Sequence, residues 1–169
     1  MEETFQKYRK RILGYLGKKD PLRVQRATPE KLARLLRGAS LKRLSQRPAP
    51  GKWSVVEILA HLADAELALA WRIRTMLARS GTRLLWFDQD KWAAQFHYKR
   101  RNPQKSLQLF RALRESNLAL LRSVPRRKWK SCFGVHEVRG RQTVADFVVL
   151  EAAHDLNHLL QIRRILRRN

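Results

Sequence analysis

Glu151-Ala152-Ala153-His154-Asp155-Leu156-Asn157-His158 sits inside a long apolar segment running from about Thr143 to Leu166. Residues four apart on a helix lie one turn above each other, so His154 and His158 point the same way. With His154 at the centre of a helical wheel, Phe147, Leu150, Glu151, Gln161 and Ile165 share its side. An amphipathic helix buries that apolar face. The stretch therefore predicts a packed helix with two inward imidazoles one turn apart, which is half of a metal site.

The other half is sought in Gly51-Lys52-Trp53-Ser54-Val55-Val56-Glu57-Ile58-Leu59-Ala60-His61-Leu62-Ala63-Asp64. Ser54 and Glu57 have the spacing of a capping box, which predicts a helix from there to about Ala78. His61 shares a face with Ile58, Ala65, Ala68 and Met76, so it too points inward, and the two small alanines leave room beside it for a ligand. Taken alone, His61 reads as a core histidine hydrogen-bonded to a neighbour.

Further helices follow from their start and stop signals. Asn102-Pro103 pairs a cap with a proline at the first helical position; Leu107, Phe110, Leu113, Leu118 and Leu121 form its stripe, and Pro125 ends it. Thr28-Pro29-Glu30 repeats the pattern and predicts a helix over 29–38. Residues 2–17 predict an N-terminal helix closed by Gly17, after which Asp20-Pro21 begins a connection. Residues 80–101 read as a long connection with a short helix. Residues 126–142, with Cys132, Gly134, His136 and Gly140, read as an irregular loop. Strand patterns are nearly absent.

The expected fold class is all-α: a four-helix bundle (29–38, 54–78, 103–123, 143–167) with an extra N-terminal helix and a long crossover between the second and third bundle helices. A chain of 169 residues builds one core without staples. Residues 1–27 are expected to form the N-terminal helix and connection, and 28–169 the bundle of that single domain. The hydrophobic fraction of 44% is that of a globular chain. A lone cysteine, Cys132, fits a reducing, cytoplasmic setting. Neither a signal-peptide pattern nor a membrane-spanning run is expected.

Lys and Arg number 37 against 14 Asp and Glu, a net charge of +23. Such an excess favours anionic partners, and nonspecific nucleic-acid binding through the basic surface is one expectation. The arginines are spread over nearly every segment, which speaks against a dedicated DNA-reading module and for an arginine-rich solvated surface. Trp53, Trp86, Trp92 and Trp129 allow base stacking, or pack the bundle ends.

His61, His154 and His158 together are three inward imidazoles. Neutral imidazole suits divalent transition metals, and three protein ligands leave a position open for water or substrate. On spacing alone the triad reads equally as a metal site or as core histidines. A di-iron carboxylate site fits worst, because Glu57 lies four residues before His61 rather than three.

Gly51-Lys52-Trp53-Ser54, Glu57-Ile58-Leu59-Ala60-His61-Leu62-Ala63-Asp64-Ala65-Glu66 and His154-Asp155-Leu156-Asn157-His158-Leu159-Leu160-Gln161-Ile162 closely resemble the DinB-like (YfiT-like) family. Phe87-Asp88-Gln89-Asp90-Lys91-Trp92 and Gly134-Val135-His136 also fit, so the resemblance covers roughly residues 28–166. It implies a four-helix bundle in which one histidine of the second helix and two of the last bind a divalent metal. All three positions are filled here, so His61, His154 and His158 are the implied ligands, with zinc or nickel ahead of iron or manganese. The resemblance also implies a metal-dependent hydrolase, or a transferase using a low-molecular-weight thiol, acting on a small molecule; an anionic substrate or thiol suits the charge. A homodimer is a further implication. A basic nucleic-acid-binding module with a structural or vestigial metal is the alternative. Glu151, one turn before His154, is the candidate base or ligand-orienting residue, unless it pairs with an arginine. Asp88 and Asp90 are candidates if the crossover folds over the bundle mouth; otherwise they cap a helix. His136 is a candidate for the pocket wall.

Overall fold

The computed structural model describes residues 3–167. The helix expected over 2–17 begins at Glu2, which with Met1, Arg168 and Asn169 lies outside the described residues. Within them the chain forms α1 (Phe5–Leu16), α2 (Pro21–Leu36), α3 (Leu41–Ser45), α4 (Val55–Ala78), β1 (Thr82–Leu84), α5 (Gln89–Gln95), a 3-10 turn (Tyr98–Arg100), α6 (Pro103–Ser123), α7 (Arg126–Ser131), β2 (Phe133–His136), β3 (Gly140–Thr143) and α8 (Val144–Arg167).

Helices α2, α4, α6 and α8 make the four-helix bundle, with α1 packed on the outside of α8. Around the ring the order is α2, α8, α4, α6. Helices α4 and α6 are consecutive yet parallel. Glu66 meets Arg114 and Asn117, and further along Ile73 and Met76 share a cluster with Leu121. Parallel neighbours cannot be joined by a tight turn, so the chain must return the length of the bundle between them. That is the physical reason for the long crossover, which holds β1, α5 and the 3-10 turn. Tyr98 ties it down: its hydroxyl donates to Asp64 of α4 at 2.7 Å, and Arg101 pairs with the same carboxylate at 3.1 Å.

The capping signals explain most helix starts. The Ser54–Glu57 box forms reciprocally, Asn102 caps α6 with Pro103 at its first turn, and Thr143 exchanges hydrogen bonds with Asp146 at the start of α8. The first bundle helix departs from expectation. It begins at Pro21 with Asp20 as its cap, not at Pro29, so Asp20-Pro21 is a helix start rather than a connection and the division at 27/28 falls inside α2. Pro29 is interior, where it has no N–H for the carbonyl of Gln25, four residues back. Arg114 of α6 supplies the missing donor, its Nη1 reaching Gln25 O at 3.0 Å. A tertiary hydrogen bond thus makes the second proline tolerable.

Residues 126–142 are not an irregular loop. They form α7 and the strands β2 and β3 of a three-stranded sheet, in which β1 pairs parallel with β2 and β2 antiparallel with β3. Strands of three or four residues carry too little alternation to show a period of two. At Gly134 an added Cβ would lie 2.5 Å from Leu84 Cγ and 2.6 Å from its Cδ1. Leu84 is itself buried between Met76, Trp129 and Val144, so it has little room to retreat. Gly134→Ala is expected to cost about 1–3 kcal/mol by overpacking, read from the urea midpoint; an unchanged midpoint would show that this corner is loosely packed. Among the described residues no helix is long and apolar enough to cross a membrane.

Candidate metal centre

The triad forms where α4 and α8 cross antiparallel. His61 enters from the second turn of α4, and His154 and His158 from the middle of α8. Their Nε2 atoms converge: His61 to His154 at 3.1 Å, and His158 to His154 at 3.0 Å. Among the described residues this is the one group of three or more potential ligands whose donor atoms come together within 4.8 Å. His61 and His158 are buried and His154 half-buried. The faces anticipated from spacing hold, with Phe147, Leu150 and Ile165 buried beside the triad's helix and Glu151 and Gln161 half-buried on it.

The chemistry of these nitrogens suits a cation better than a proton. Burial first, and then its neighbouring imidazole, holds each of His61, His154 and His158 well below the usual histidine range. All three are therefore neutral, each with a basic lone pair. His158 Nδ1 lies 2.9 Å from Gln161 Oε1; the amide oxygen can only accept, so Nδ1 carries the proton and Nε2 is free to ligate. Three neutral imidazoles facing one another at these distances cannot satisfy each other with hydrogen bonds. A cation bonded to each at about 2.0–2.1 Å would set nitrogens roughly 3 Å apart, so the residues fit a divalent metal. The Trp53 ring packs against His61 at 4.9 Å between centroids, closing one side of the cluster.

Glu151 sits one turn before His154, its Oε2 at 3.6 Å from Nδ1. That is too long for a hydrogen bond but places a carboxylate beside the triad. Burial, and then the charges of Glu66 and Asp155, push its carboxyl up to about 8. No arginine among the described residues holds it in an ion pair, although Arg114 and Arg139 act on it at longer range.

The structure does not bring the other two acidic candidates into this group. Asp88 caps α5, accepting from the amides of Asp90 and Lys91 at 3.0 Å, and Asp90 is exposed in the first turn of that helix. The carboxylates that a di-iron site would need are engaged elsewhere: Glu57 in its capping box and with Arg47, Glu66 and Asp155 with Arg114. His136 is buried on β2 rather than exposed on a loop. Trp129 is buried under Arg126 and Trp92 stacks on Phe87, both packing rather than presenting a face to a base. Sequence reasoning gave no role to Gln161, Tyr8, Arg72 or Arg139. Gln161, three residues after His158 on the same face, and Arg72, between Ala68 and Met76 on the His61 face, had a usable signal.

The profile of the DinB superfamily matches residues 26–162. The chain belongs to the DinB superfamily. Among related DinB-like chains, a protein of Oceanobacillus iheyensis named "Putative metal-dependent hydrolase" is 27% identical over 126 residues, 75% of this chain and 72% of its own. YfiT of Bacillus subtilis, under the same description, is 24% identical over 147 residues, covering 87% and 83% of the two chains. A solved structure of the Bacillus subtilis YfiT, titled "a probable metal-dependent hydrolase with an unusual four-helix bundle topology", superposes with a TM-score of 0.82 at 21% identity over 99% of this chain and 90% of that one. The parallel α4–α6 pair is thus set in a four-helix bundle of the same fold.

Proposed function

We propose that this chain is a metal-dependent hydrolase of a small molecule, with a divalent metal held by His61, His154 and His158; thiol-dependent group transfer is the alternative reaction for the same site. The observation that carries the reading is the convergence of three neutral Nε2 atoms within 3.1 Å steps on two rigid helices. A metal bound there supplies a Lewis acid that lowers the pKa of bound water toward neutrality. The names of the Oceanobacillus and Bacillus relatives agree with that chemistry.

The chain's own residues do the rest. Gln161 fixes the tautomer of His158, and Trp53 limits the motion of His61. Glu151, with its carboxyl near 8, exchanges a proton close to neutral pH, which is what a general base or acid at Oε2 requires. Asp88 is engaged as a cap, and the proposal gives neither it nor Asp90 a part.

The test is metal content of protein purified without added metal or a polyhistidine tag. One transition-metal ion per chain is expected, falling to background in His158→Ala while far-UV helicity persists. An ion retained at full stoichiometry in that variant, or none in the parent even after reconstitution, would remove the proposal's basis. The metal's identity comes from the same measurement.

A further inference from the structure

Beyond the triad, α4 and the β2–β3 turn carry two basic groups that no carboxylate among the described residues pairs with directly. Arg72 lies eleven residues after His61, on the same face of α4 and roughly 16 Å further along its axis. It is 8% exposed. Its Nη2 donates to Leu85 O at 2.6 Å, and its guanidinium lies against the rings of Phe87 and Phe147 at 5.5 and 5.8 Å. No carboxylate among the described residues forms an ion pair with it. Arg139, in the β2–β3 turn, is half-buried over the Phe5 ring at 4.6 Å. Arg139 has neither a hydrogen-bond nor an ion-pair partner among the described residues. The adjacent acid, Glu137, is turned the other way, holding Arg83 at 2.7 Å and the Trp86 amide at 3.0 Å. Glu151 acts on both guanidiniums only at longer range, with no hydrogen bond or ion pair to either. Arg72 is held at Leu85, next to the Leu84–His136 pairing of β1 with β2, and Arg139 follows in the β2–β3 turn. Burying a guanidinium costs several kcal/mol unless it is paired, so two such groups at one edge of the sheet point to an anion from outside the chain.

A third donor supports this independently. His136 is 1% exposed. Its Nδ1 accepts the Val138 amide at 3.1 Å, so in the neutral ring the proton is on Nε2. That Nε2–H is buried without an acceptor. Burial, then the charges of Arg139 and Arg72, hold His136 down at about 4, so it is neutral and both guanidiniums are its neighbours. An orphaned buried donor near two guanidiniums without an ion-pair partner lacks one thing, an acceptor.

We propose that Arg72, Arg139 and the Nε2–H of His136 form an oxyanion subsite that grips a carboxylate or phosphate group of the substrate. The reacting end of that substrate lies toward the three histidines. Between His61 and Arg72, that face of α4 carries only the small side chains of Ala65 and Ala68, both half-buried. This deepens the proposed function and rests on the triad being the reaction centre. The substrate class that follows is a small molecule with an oxyanion at one end and the scissile group at the other. Guanidinium forks suit either oxyanion.

The experiment is calorimetric titration of the full chain, as purified, with inorganic phosphate and separately with acetate at constant ionic strength. The variants are Arg139→Gln, Arg139→Lys, His158→Ala and, as a surface control, Arg164→Gln, whose side chain is exposed on α8. One saturable site per chain is expected, weakened at least about tenfold in Arg139→Gln and partly in Arg139→Lys, which keeps the charge but loses the fork. Arg164→Gln should bind as the parent does. Saturable phosphate binding alone assigns a phosphate substrate, and saturable acetate binding a carboxylate; either supports the subsite. Non-saturable binding, or binding equal in parent and Arg139→Gln, overturns it. Loss in His158→Ala with retention in Arg139→Gln would place the anion at the histidines and overturn it too. A parent without metal that still binds the anion through Arg139 would sink the hydrolase reading and leave the subsite standing.

Discussion

Arg114→Met is expected to destabilise the protein by about 3–5 kcal/mol, the cost of leaving buried charges without their partner. Arg114 is 1% exposed in the middle of the bundle. Its Nη1 donates to Asp155 Oδ2 at 2.5 Å and its Nη2 to Asp155 Oδ1 at 3.0 Å and to Glu66 Oε2 at 2.8 Å. The guanidinium also lies on the Phe110 ring at 4.6 Å. One side chain of α6 thus holds α4 and α8 together, and through Gln25 O it holds α2 as well. Methionine fills much of the volume but strands two carboxylates. The thermal midpoint should fall by roughly 2–4 °C per kcal/mol lost. A sharper form uses Pro29. Pro29→Ala restores a helical N–H for the Gln25 carbonyl, so in that background Arg114→Met should cost about 1 kcal/mol less, one hydrogen bond's worth. Additivity within about 0.5 kcal/mol would mean that the arginine is not what makes the interior proline tolerable.

Acidification should unfold the metal-free protein at a pH where most bundles are stable. His61, His154 and His158 are held well below 6.5, and His136 is held at about 4. In the unfolded chain each returns to about 6.5. The unfolded state therefore binds more protons below pH 6.5, and stability is lost as pH falls through that value. Each imidazole contributes up to about 1.4 kcal/mol per pH unit. Glu151 works the other way. Its folded value of about 8 lies above the ordinary 4.5, so stability rises as pH falls from 8 toward 4.5. Four imidazoles outweigh one carboxyl, and Glu151→Gln should steepen the acid loss. Urea midpoints between pH 7.5 and 4.5 measure this; a flat profile in chelator-treated protein would contradict the burial of the histidines. Bound metal competes with protons for the same lone pairs, so the loaded protein should resist to lower pH and then fail more abruptly.

What could be read from the sequence was local. The capping box at Ser54, the cap and proline at Asn102-Pro103, and the spacing of four between His154 and His158 each act within one or two turns of helix, and each appears as expected. The start of α2 could not be read, because Asp20-Pro21 and Thr28-Pro29 are both valid starts; what lets the helix run through the second is an arginine some ninety positions away. Arg114 lies on the apolar stripe of α6, four residues after Phe110 and four before Leu118, so its burial has a local signal, but its partners on three other helices do not. The short strands hold too few residues to declare a period. Arg139 could not be told from the many other basic residues, while Arg72 sits on the inward face of His61 but shows nothing locally of its lack of a counterion. The triad was legible because two of its members share one helix face and His61 lies on the inward face of another; the family resemblance is what implied that the three are ligands.

The parallel pairing of α4 with α6 has a consequence for the order of assembly. Because the crossover spaces them apart and α8 closes the ring between α2 and α4, a helix made after the other three carries two of the three histidines and the aspartate that Arg114 grips. Contacts that join distant parts of the chain form late. A nascent bundle of α2, α4 and α6 holds a single imidazole and a half-paired buried arginine, so it can neither capture the ion nor neutralise its own interior. On the ribosome the bundle should therefore stay open to chaperones and proteases until α8 emerges, and metal capture becomes the event that marks a closed ring.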